Sequence, residues 1–558
     1  MMDYASKFVK AKGYRPVPLI LRHIVDYAAM RFPTQEIVYR NELRTTYSQF
    51  YDRLKRLAGV LEILGVKKGD SIGVLDWNTY WHMELGFGIP CYGAIYHPIN
   101  ARLPLEQMAY IINDSEDKVL FFNEEFAPIV EKLVNNVRSV EKFVLIGDKT
   151  RIECNIKNLL YYEDLMSEAQ PIDLQELEED SVGWIYHTSG TTGLPKGAYF
   201  THKMAFLHTV SQLITFTCNY KMNYEDVALH AVPMYHLFAW GYPYLSTLFG
   251  QKQVLPGRLR PDIFWRLVEQ EKVTWTAMVA TVLRMMIDYP EISKHDISSL
   301  RLIGVGGGPL PRGLYEEAKR KLRGLGAERL EIYAQSGMTE IFTYGTSTVI
   351  KKHMETLSEE EKVKYRLKAG LPVFLMQAKV VDDNMKEVPR DGTTVGRLFY
   401  RSPFITPGYI GSVEKSDKAW INGWFNTGDL ATWDKEGYLQ IVDRDKDAVK
   451  SGGEWISTLQ LESLLSTHPA VSEVAVIGVP HKVWGERPVA IVKLKEEYKG
   501  KVGEEELKKH LENFVPTHLP KWWIPDKFVF VEEIVKTGTG KFDKKVLREQ
   551  FKHLLESN

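Results

Sequence analysis

The stretch Tyr186-His187-Thr188-Ser189-Gly190-Thr191-Thr192-Gly193-Leu194-Pro195-Lys196-Gly197 is the most informative part of this sequence. Its glycines allow a tight turn that brings backbone N–H groups close to an anion. Hydroxyl groups on Thr188, Ser189, Thr191 and Thr192 can donate to phosphate oxygens, and Lys196 adds a positive charge on a flexible side chain. A glycine- and threonine-rich surface loop is the simplest alternative, but such a loop rarely sets one lysine between proline and glycine. The stretch therefore predicts a phosphate-binding loop.

This loop differs from the Walker phosphate loop. The Walker pattern ends in Gly-Lys followed by Ser or Thr, whose hydroxyl binds magnesium. Here Pro195 precedes Lys196 and Gly197 follows it, so that hydroxyl is absent. A different family of nucleotide-binding proteins is required.

Around the loop, apolar segments of strand type alternate with amphipathic helices. The segment from Ser48 to Leu64 has leucines at helical spacing and stops at Gly65. Strand-like runs follow at 71–75, 118–122, 143–146 and 300–305. This alternation predicts an α/β domain with largely parallel sheets. From Val471 the pattern changes to strands at 474–479 and 489–492 and a charged helix at 504–514, which predicts a smaller C-terminal α+β domain.

Length and composition limit the class of protein. The 558 residues are too many for one compact core, and the net charge of −1 offers no field that would attract nucleic acid or an anionic membrane. The first residues lack the apolar run of a secretory signal. Cys91, Cys154 and Cys218 are too far apart for a disulfide framework or a metal cluster, which favours a cytoplasmic protein. The oligomeric state stays open, with a homodimer among the alternatives.

Two further segments have unusual composition. Val227 to Gln251 carries no Asp, Glu, Lys or Arg and is long enough to cross a membrane. Pro233 and Pro243 would break backbone pairing that hydrocarbon cannot replace, so we expect a buried wall inside a globular domain and no transmembrane segment. The charge-dense segment 351–368 is expected to form a solvated helix.

Several motifs, in this order, resemble those of the adenylate-forming superfamily of acyl-CoA synthetases, peptide-synthetase adenylation domains and luciferases. They are the loop at 186–197, Gly306-Gly307-Gly308-Pro309, Gly337-Met338-Thr339-Glu340, Gly428-Asp429, Asp443-Arg444-Asp445-Lys446-Asp447 and Gly538-Thr539-Gly540-Lys541. The segments 233–240 and 450–457 resemble most closely the medium- and long-chain fatty acyl-CoA synthetases. The resemblance implies a large N-terminal domain of several subdomains at 1–443, a small mobile C-terminal lid at 444–558, and a hinge near Lys446.

The resemblance also implies how ATP binds. Thr339 would hydrogen-bond the α-phosphate, and Glu340, with Thr191, would hold Mg²⁺, a hard cation that prefers oxygen ligands. The family usually has an aromatic residue that stacks on adenine where Ser336 stands, and Tyr333 is three positions away. The implied ATP and AMP contacts are Thr188, Ser189, Gly190, Thr191, Thr192, Lys196, Gly307, Gly308, Ser336, Thr339, Asp429, Arg444 and Lys541.

Catalytic, acyl and coenzyme A sites are implied in the same way. Lys541 would neutralise charge that builds up on the α-phosphate, whereas Lys544 and Lys545 are expected to be an ordinary lysine-rich helix start. His236 would lie near the substrate carboxylate, and Trp240 matches a gating aromatic residue of the fatty-acyl tunnel, with core packing as the alternative. The remaining implied contacts are Gly306 and Gly308 for the acyl chain, and Gly452 and Gly453 for the coenzyme A channel.

The predicted reaction activates a carboxylic acid with ATP and Mg²⁺ and transfers the acyl group to coenzyme A. The acid would be a medium- or long-chain fatty acid, or a short or hydroxy acid if Trp240 blocks the tunnel. Transfer to a carrier protein or to oxygen is one alternative. Another is a non-catalytic homologue that binds acyl groups or nucleotides, which the serine at position 336 keeps open.

Overall fold

The computed structural model of the protein describes residues 11–146, 154–188, 194–452, 454–515, 519–536 and 542–555. The helices α1 to α17 are, in chain order, Arg22–Arg31, Tyr47–Ile63, Tyr80–Tyr92, Leu105–Asp114, Ala127–Leu133, Tyr162–Glu168, His202–Tyr220, Leu237–Trp240, Tyr242–Phe249, Pro261–Glu271, Ala280–Ile287, Arg312–Gly324, Glu359–Arg366, Val413–Ala419, Thr458–Leu465, Glu504–Glu512 and Lys544–Phe551. The strands β1 to β26 are Glu36–Tyr39, Leu43–Thr46, Ser71–Leu75, Ile95–Pro98, Val119–Asn123, Lys142–Ile146, Leu160–Tyr161, Val182–His187, Gly197–Thr201, Val227–Leu229, Lys252–Leu255, Trp275–Met278, Leu302–Val305, Glu331–Ser336, Thr346–Ser347, Leu371–Pro372, Gln377–Val381, Gly396–Arg401, Trp420–Ile421, Trp424–Trp433, Leu439–Arg444, Val449–Ser451, Glu454–Ile456, Val471–His481, Gly485–Leu494 and Lys527–Phe530.

Helix α2 shows why the first helix forms where the sequence predicts it. The Thr46 side chain accepts from the backbone N–H of Gln49, and the Gln49 side chain accepts from the backbone N–H of Thr46. This capping box fixes the start of the helix. Leu54, Leu57 and Leu61 are fully buried, so the leucine stripe packs into the core as its spacing predicts.

Two mostly parallel sheets form the large part of the molecule. One has the strand order β7-β6-β5-β3-β4-β8-β9 in the described part of the chain, and the other has the order β16-β15-β14-β13-β12-β10-β11-β1-β2. Among the described residues, antiparallel pairs occur only at the edges of these two sheets, at β8–β9, β1–β2, β14–β15 and β15–β16. Because the carboxyl ends of parallel strands meet at one edge of their sheet, the loops after β13 and β14 are available to build a site at that edge of the nine-stranded sheet.

Two antiparallel sheets complete the chain. One joins β17-β18-β20-β19 with β21 on β20, and the other joins β23-β22-β25-β24 with β26 parallel to β25. The last sheet has hydrophobic clusters of its own, built around residues such as Leu461, Val476 and Ile491. The predicted fold class, a large α/β unit with mostly parallel sheets and a small α+β unit, is confirmed.

The small unit contacts the large one through the start of α12. The backbone N–H groups of Arg312 and Gly313 donate to the hydroxyls of Ser463 and Ser466, at 3.2 and 3.3 Å. A Cβ at Gly313 would lie 2.0 Å from the carbonyl oxygen of Ser466. Only glycine therefore allows this close approach.

The two segments of unusual composition behave differently. The uncharged segment forms β10, α8 and α9 and is largely buried inside the large unit, as expected. Of the charge-dense segment, only Glu359–Arg366 is α-helical, and no residue of that helix is buried. None of the described helices combines the length and apolarity that crossing a membrane would need.

Candidate active site

The two ends of the phosphate loop close on each other. His187 ends β8 opposite Gly197, which begins the antiparallel strand β9. The backbone N–H of Thr188 donates to the carbonyl of Lys196 at 2.9 Å, and the backbone N–H of Lys196 donates to the Thr188 hydroxyl at 3.3 Å. These bonds fix the loop's entry and exit. Ser189, Gly190, Thr191 and Thr192 lie outside the described residues.

Tyr409 joins the phosphate loop to the predicted metal motif. Its ring centroid lies 4.8 Å from the Lys196 ammonium nitrogen, and its hydroxyl donates to Glu340 Oε1 at 2.8 Å. Burial, and then the Glu340 carboxylate, raise the pKa of Tyr409 well above its ordinary value, so the phenol remains a hydrogen-bond donor. Tyr409 could not be identified from the sequence, because it is more than 200 residues from Lys196 and belongs to no recognised motif.

The turn that carries Thr339 and Glu340 follows directly from β14. Thr339–Ile341 forms a single 3₁₀ turn, and the backbone N–H of Thr406 donates to the Glu340 carbonyl at 2.8 Å. A Cβ at Gly337 would lie 1.3 Å from the carbonyl oxygen of Thr343, so the motif needs glycine at that position. The Glu340 carboxylate is a hard oxygen ligand of the kind that Mg²⁺ prefers, and it suits a metal that takes its other ligands from phosphates and water.

Asp429 and Arg444 face each other across neighbouring strands. They are register partners on β20 and β21, and Arg444 Nε lies 2.8 Å from Asp429 Oδ1. The Arg444 guanidinium also donates to the carbonyl of Thr427 at 3.0 Å. The Asp429 carboxylate is the main cause of a raised pKa for Arg444. The pair is therefore a rigid charged element able to present carboxylate oxygens to hydroxyl groups.

A cavity of about 1140 Å³ brings several predicted nucleotide contacts together. Its lining includes Gly307, Gly308, Ser336, Asp429 and Arg444 from the large unit, and Trp455, Ser457 and Lys544 from the small one. An added Cβ at Gly308 would meet nothing within 4 Å, so this wall is open. Thr188, Lys196, Thr339 and Glu340 do not belong to this lining, and two of them, Lys196 and Glu340, contact Tyr409.

Tyr333 does not take the place of the missing aromatic residue at Ser336. Its side chain is buried, and its ring centroid lies 4.3 Å from that of Tyr220 on α7. The tyrosine therefore packs in the core. Ser336 lines the cavity without offering a ring to adenine.

Two of the predicted acyl contacts, His236 and Trp240, lie at α8, which is a single left-handed turn and not a regular right-handed helix. His236 is followed by Leu237, Phe238, Ala239 and Trp240, whose φ angles are 45°, 41°, 45° and 61°. Non-glycine residues rarely adopt this conformation, and each costs roughly 1 kcal/mol. The Trp240 carbonyl accepts from the Gln212 side chain at 3.0 Å and from the Thr343 hydroxyl at 3.1 Å. Side-chain hydrogen bonds from two other elements thus hold the turn.

Trp240 lies close to Gly307, one of the glycines that follow β13. A Cβ at Gly307 would lie 3.3 Å from the Trp240 ring, and a Cβ at Gly306 would lie 2.8 Å from the Gln335 side chain. Gly306 and Gly307 are therefore closely covered by large side chains. This places Trp240 directly beside the wall of the nucleotide cavity.

Near the C-terminus, Lys544 begins α17 as expected, but its side chain makes buried contacts that the sequence did not predict. Its ammonium nitrogen is buried, 2.7 Å from the Glu462 carboxylate and 2.6 Å from the Thr458 hydroxyl. Thr458 in turn donates to Asp443, so the lysine connects α15 and α17 to the end of β21. Lys544 thus pairs with the buried Glu462 carboxylate, and the sequence around Lys544 does not indicate this pairing. Lys541 and Gly453 lie outside the described residues.

Gly452 and Lys446 are the described members of the predicted channel and hinge. The backbone N–H of Gly452 donates to the Trp484 carbonyl at 2.8 Å, and a Cβ there would lie 3.0 Å from the Trp484 ring. Lys446 lies in the connection between β21 and β22, where the chain passes from one antiparallel sheet to the other. Burial lowers the pKa of the Lys446 ammonium.

The two mostly parallel sheets, the phosphate loop, the turn at Thr339–Glu340 and the Asp429–Arg444 pair are together typical of an enzyme that uses a nucleotide to activate its substrate. The model of the AMP-binding enzyme family matches residues 25–410, and that of the AMP-binding enzyme C-terminal domain matches residues 460–541. The chain belongs to the AMP-binding enzyme family.

Individual relatives span nearly the whole chain. The chain is 41% identical to a long-chain-fatty-acid–CoA ligase of Thermus thermophilus, over 96% of each chain. It is 32% identical to a medium-chain-fatty-acid–CoA ligase of Ectopseudomonas oleovorans, over 96% of this chain and 97% of that one. The crystal structure of the anthranilate CoA ligase AuaEII in complex with anthranoyl-AMP superposes with a TM-score of 0.83 at 25% identity, covering 98% and 99% of the two chains. The predicted class, an AMP-forming carboxylic acid–CoA ligase, is confirmed.

Proposed function

We propose that the protein uses ATP to convert an aliphatic carboxylic acid to an acyl-adenylate and then transfers the acyl group to coenzyme A. The observation that carries this proposal is the convergence of Lys196 and Glu340 on Tyr409 next to a cavity lined by Asp429 and Arg444. The proposed phosphate-binding lysine, metal-binding carboxylate and ribose-binding carboxylate thus come from three separate parts of the chain.

In the first step, a carboxylate oxygen of the acid attacks the α-phosphorus of ATP, and the bond to the β-phosphate oxygen breaks to release pyrophosphate. Lys196 and Thr188, with the loop residues between them, hold the phosphates, and Thr339 hydrogen-bonds the α-phosphate. Glu340, with Thr191, is the proposed ligand of Mg²⁺, which when bound offsets phosphate charge. Catalysis of this kind is mostly positioning and charge stabilisation.

Asp429 and Arg444 have complementary tasks in the proposed complex. Asp429 accepts hydrogen bonds from the ribose hydroxyls, and Arg444 fixes the carboxylate in place through their 2.8 Å contact. Gly307, Gly308 and Ser336 form the surrounding wall. Lys541 is proposed to neutralise the charge that develops on the α-phosphate.

In the second step, the coenzyme A thiolate attacks the acyl carbon, a C–S bond forms, and the bond to AMP breaks. We place the thiol's approach beside Gly452 and Gly453, and the hinge at Lys446, between an N-terminal domain at 1–443 and a lid at 444–558. Two features support this division: the last sheet has its own core, and the two family models match on either side of residues 411–459.

The acid is proposed to be a medium- or long-chain fatty acid bound near His236 and Trp240, in line with the names of the two relatives. A short or hydroxy acid is a second candidate, because the Trp240 ring covers Gly307 in this structure. Cys91, Cys154 and Cys218 are free thiols, which supports a cytoplasmic location. A homodimer is the proposed assembly to test by light scattering.

The test measures pyrophosphate release and thioester formation with ATP, Mg²⁺ and coenzyme A, across straight-chain acids and their terminal hydroxy derivatives. Thioester formation with an optimum among the longer chains supports the fatty-acid proposal, and an optimum among short hydroxy acids supports the second candidate. Pyrophosphate without thioester would show a different acyl acceptor. Neither product with any acid would contradict the proposed activity.

A further inference from the structure

A continuous chain of hydrogen bonds runs through the seven-stranded sheet to the base of the phosphate loop. The Ser71 hydroxyl donates to Asp117 Oδ1 at 2.7 Å, and Asp117 Oδ2 lies 2.8 Å from His97 Nδ1. His97 Nε2 lies 3.0 Å from His187 Nδ1, and His187 Nε2 lies 3.0 Å from Asp114 Oδ2. The chain therefore crosses β3, β4 and β8 and ends on α4.

The chain is shielded from water along most of its length. The side chains of His97 and Asp117 are fully buried, and that of His187 is 3% exposed. Asp114, at 24%, is the end that faces solvent. Buried polar side chains connected in this way are costly to lose, because each break leaves an unpaired group in the interior.

The number of protons in the chain follows from its hydrogen bonds. Each of the three contacts Asp117–His97, His97–His187 and His187–Asp114 needs one proton between its two atoms. Two neutral imidazoles supply only two protons, so the intact chain holds one more. Burial lowers the pKa of His187 to about 4, which favours a neutral His187 ring, so the additional proton belongs to another member of the chain.

His187 is also the residue from which the phosphate loop departs. It is the last residue of β8, and Thr188 after it makes both of the bonds that close the loop on Lys196. A Cβ on its register partner Gly197 would lie 3.0 Å from His187 Nε2, so the ring is also packed against the loop's exit. His187 therefore contacts or adjoins both the entry and the exit of the loop, so its orientation affects the position of both.

We propose that His187 is a positioning residue for ATP, which with His97 fixes the phosphate loop and keeps one additional proton behind it. The proton leaves the buried side of the loop less negative, which favours phosphate binding. This inference rests on the proposed function only in taking the loop as the ATP-binding element. It assigns a role to His97, Asp114, Asp117 and His187, none of which the reaction otherwise uses.

The experiment compares steady-state kinetics of the full-length enzyme and its variants, with ATP and the acid varied separately. His187→Leu removes both ring contacts, and we expect the KM for ATP to rise at least about tenfold, the factor that matches loss of one charge-assisted hydrogen bond. The KM for the acid should stay within about twofold. His187→Asn, whose side-chain amide can still hydrogen-bond His97, should recover part of the loss.

Two further variants separate positioning from general destabilisation. Asp114→Asn keeps an acceptor for His187 but removes one negative charge near the loop, so its KM for ATP should stay equal or fall. His230→Leu is the matched control, since His230 is a buried histidine of the other parallel sheet that bonds to Gln253. His230→Leu should destabilise the protein without selectively raising the KM for ATP.

Each outcome decides the inference. Equal rises in the KM for ATP and for the acid, or no rise for ATP, would overturn it, and so would a rise for Asp114→Asn equal to that for His187→Leu. If His187→Leu does not fold, His187→Asn and Asp114→Asn carry the same comparison. An inactive wild-type enzyme would instead contradict the proposed function, which keeps the two failures distinct.

Discussion

Replacing Gly313 with alanine tests whether the contact between α12 and α15 takes part in catalysis. The added Cβ would lie 2.0 Å from the Ser466 carbonyl oxygen, and real Cβ contacts essentially never fall below 3.0 Å, so α15 must retreat by at least about 1 Å. This movement breaks the hydrogen bonds of Arg312 and Gly313 to the two serines, which are already 3.2 and 3.3 Å long. At about 1 kcal/mol for each bond, the arrangement in which α12 contacts α15 loses about 2 kcal/mol of stability, and its population falls roughly 30-fold.

The two half-reactions are measured separately for this variant. Exchange of labelled pyrophosphate into ATP reports adenylate formation, and a single turnover of enzyme-bound adenylate with coenzyme A reports transfer. If the observed arrangement serves one step, that step should slow by up to about 30-fold while the other changes little. Gly324→Ala at the other end of α12 is the control, because a Cβ there meets nothing within 4 Å. Equal slowing of both steps, or slowing in the control as well, would refute the reasoning.

Further predictions concern the hinge, the buried ion pair, the metal and pH. Lys446→Pro fixes φ at the proposed hinge and should reduce thioester formation more than pyrophosphate exchange, whereas equal losses would count against a hinge. Lys544→Met leaves the Glu462 carboxylate buried without its partner and should cost about 3–5 kcal/mol in urea unfolding, much of which Lys544→Met with Glu462→Gln should restore. Glu340→Gln should raise the Mg²⁺ concentration for half-maximal pyrophosphate release at least about tenfold, and an unchanged Mg²⁺ dependence would remove Glu340 from the metal site. Burial lowers the pKa of five histidines to about 4 or about 3. Between pH 6.5 and those values the unfolded chain binds more protons than the folded one, so the free energy of unfolding should fall as the pH falls. Equal urea midpoints at pH 7 and pH 5 would contradict this. These histidines are His82, His187, His202, His208 and His230.

Local patterns predicted the elements well where burial follows from a few neighbouring residues. The strand at 71–75 is found at those residues, and the helix expected at 48–64 runs from Tyr47 to Ile63. Leucine spacing and an uninterrupted apolar run determine these elements locally. The helix expected at 351–368 is shorter, since the capping box at Ser358 starts the α-helix only at Glu359.

The sequence could propose the residues of the candidate site that belong to recognisable motifs. It could not predict contacts between residues that are far apart in the chain. Asp429 and Arg444 are 15 residues apart and meet because their strands pair. Tyr409 could not be anticipated, since only the fold brings it to Lys196 and Glu340. The same holds for Lys544, whose burial depends on Glu462 in another helix.

The left-handed turn at 237–240 combines backbone strain, which lowers stability, with side chains that shape the proposed acyl site. Each of its four residues would be more relaxed as glycine, which accepts positive φ without strain. The strain relieved at each position is roughly 1 kcal/mol, whereas truncating a buried residue such as Leu237 or Phe238 costs about 2–5 kcal/mol. At Trp240, glycine would also remove the ring that lies against Gly307. The turn therefore keeps its strain because its side chains pack, and mutations there are expected to change stability and acid preference together.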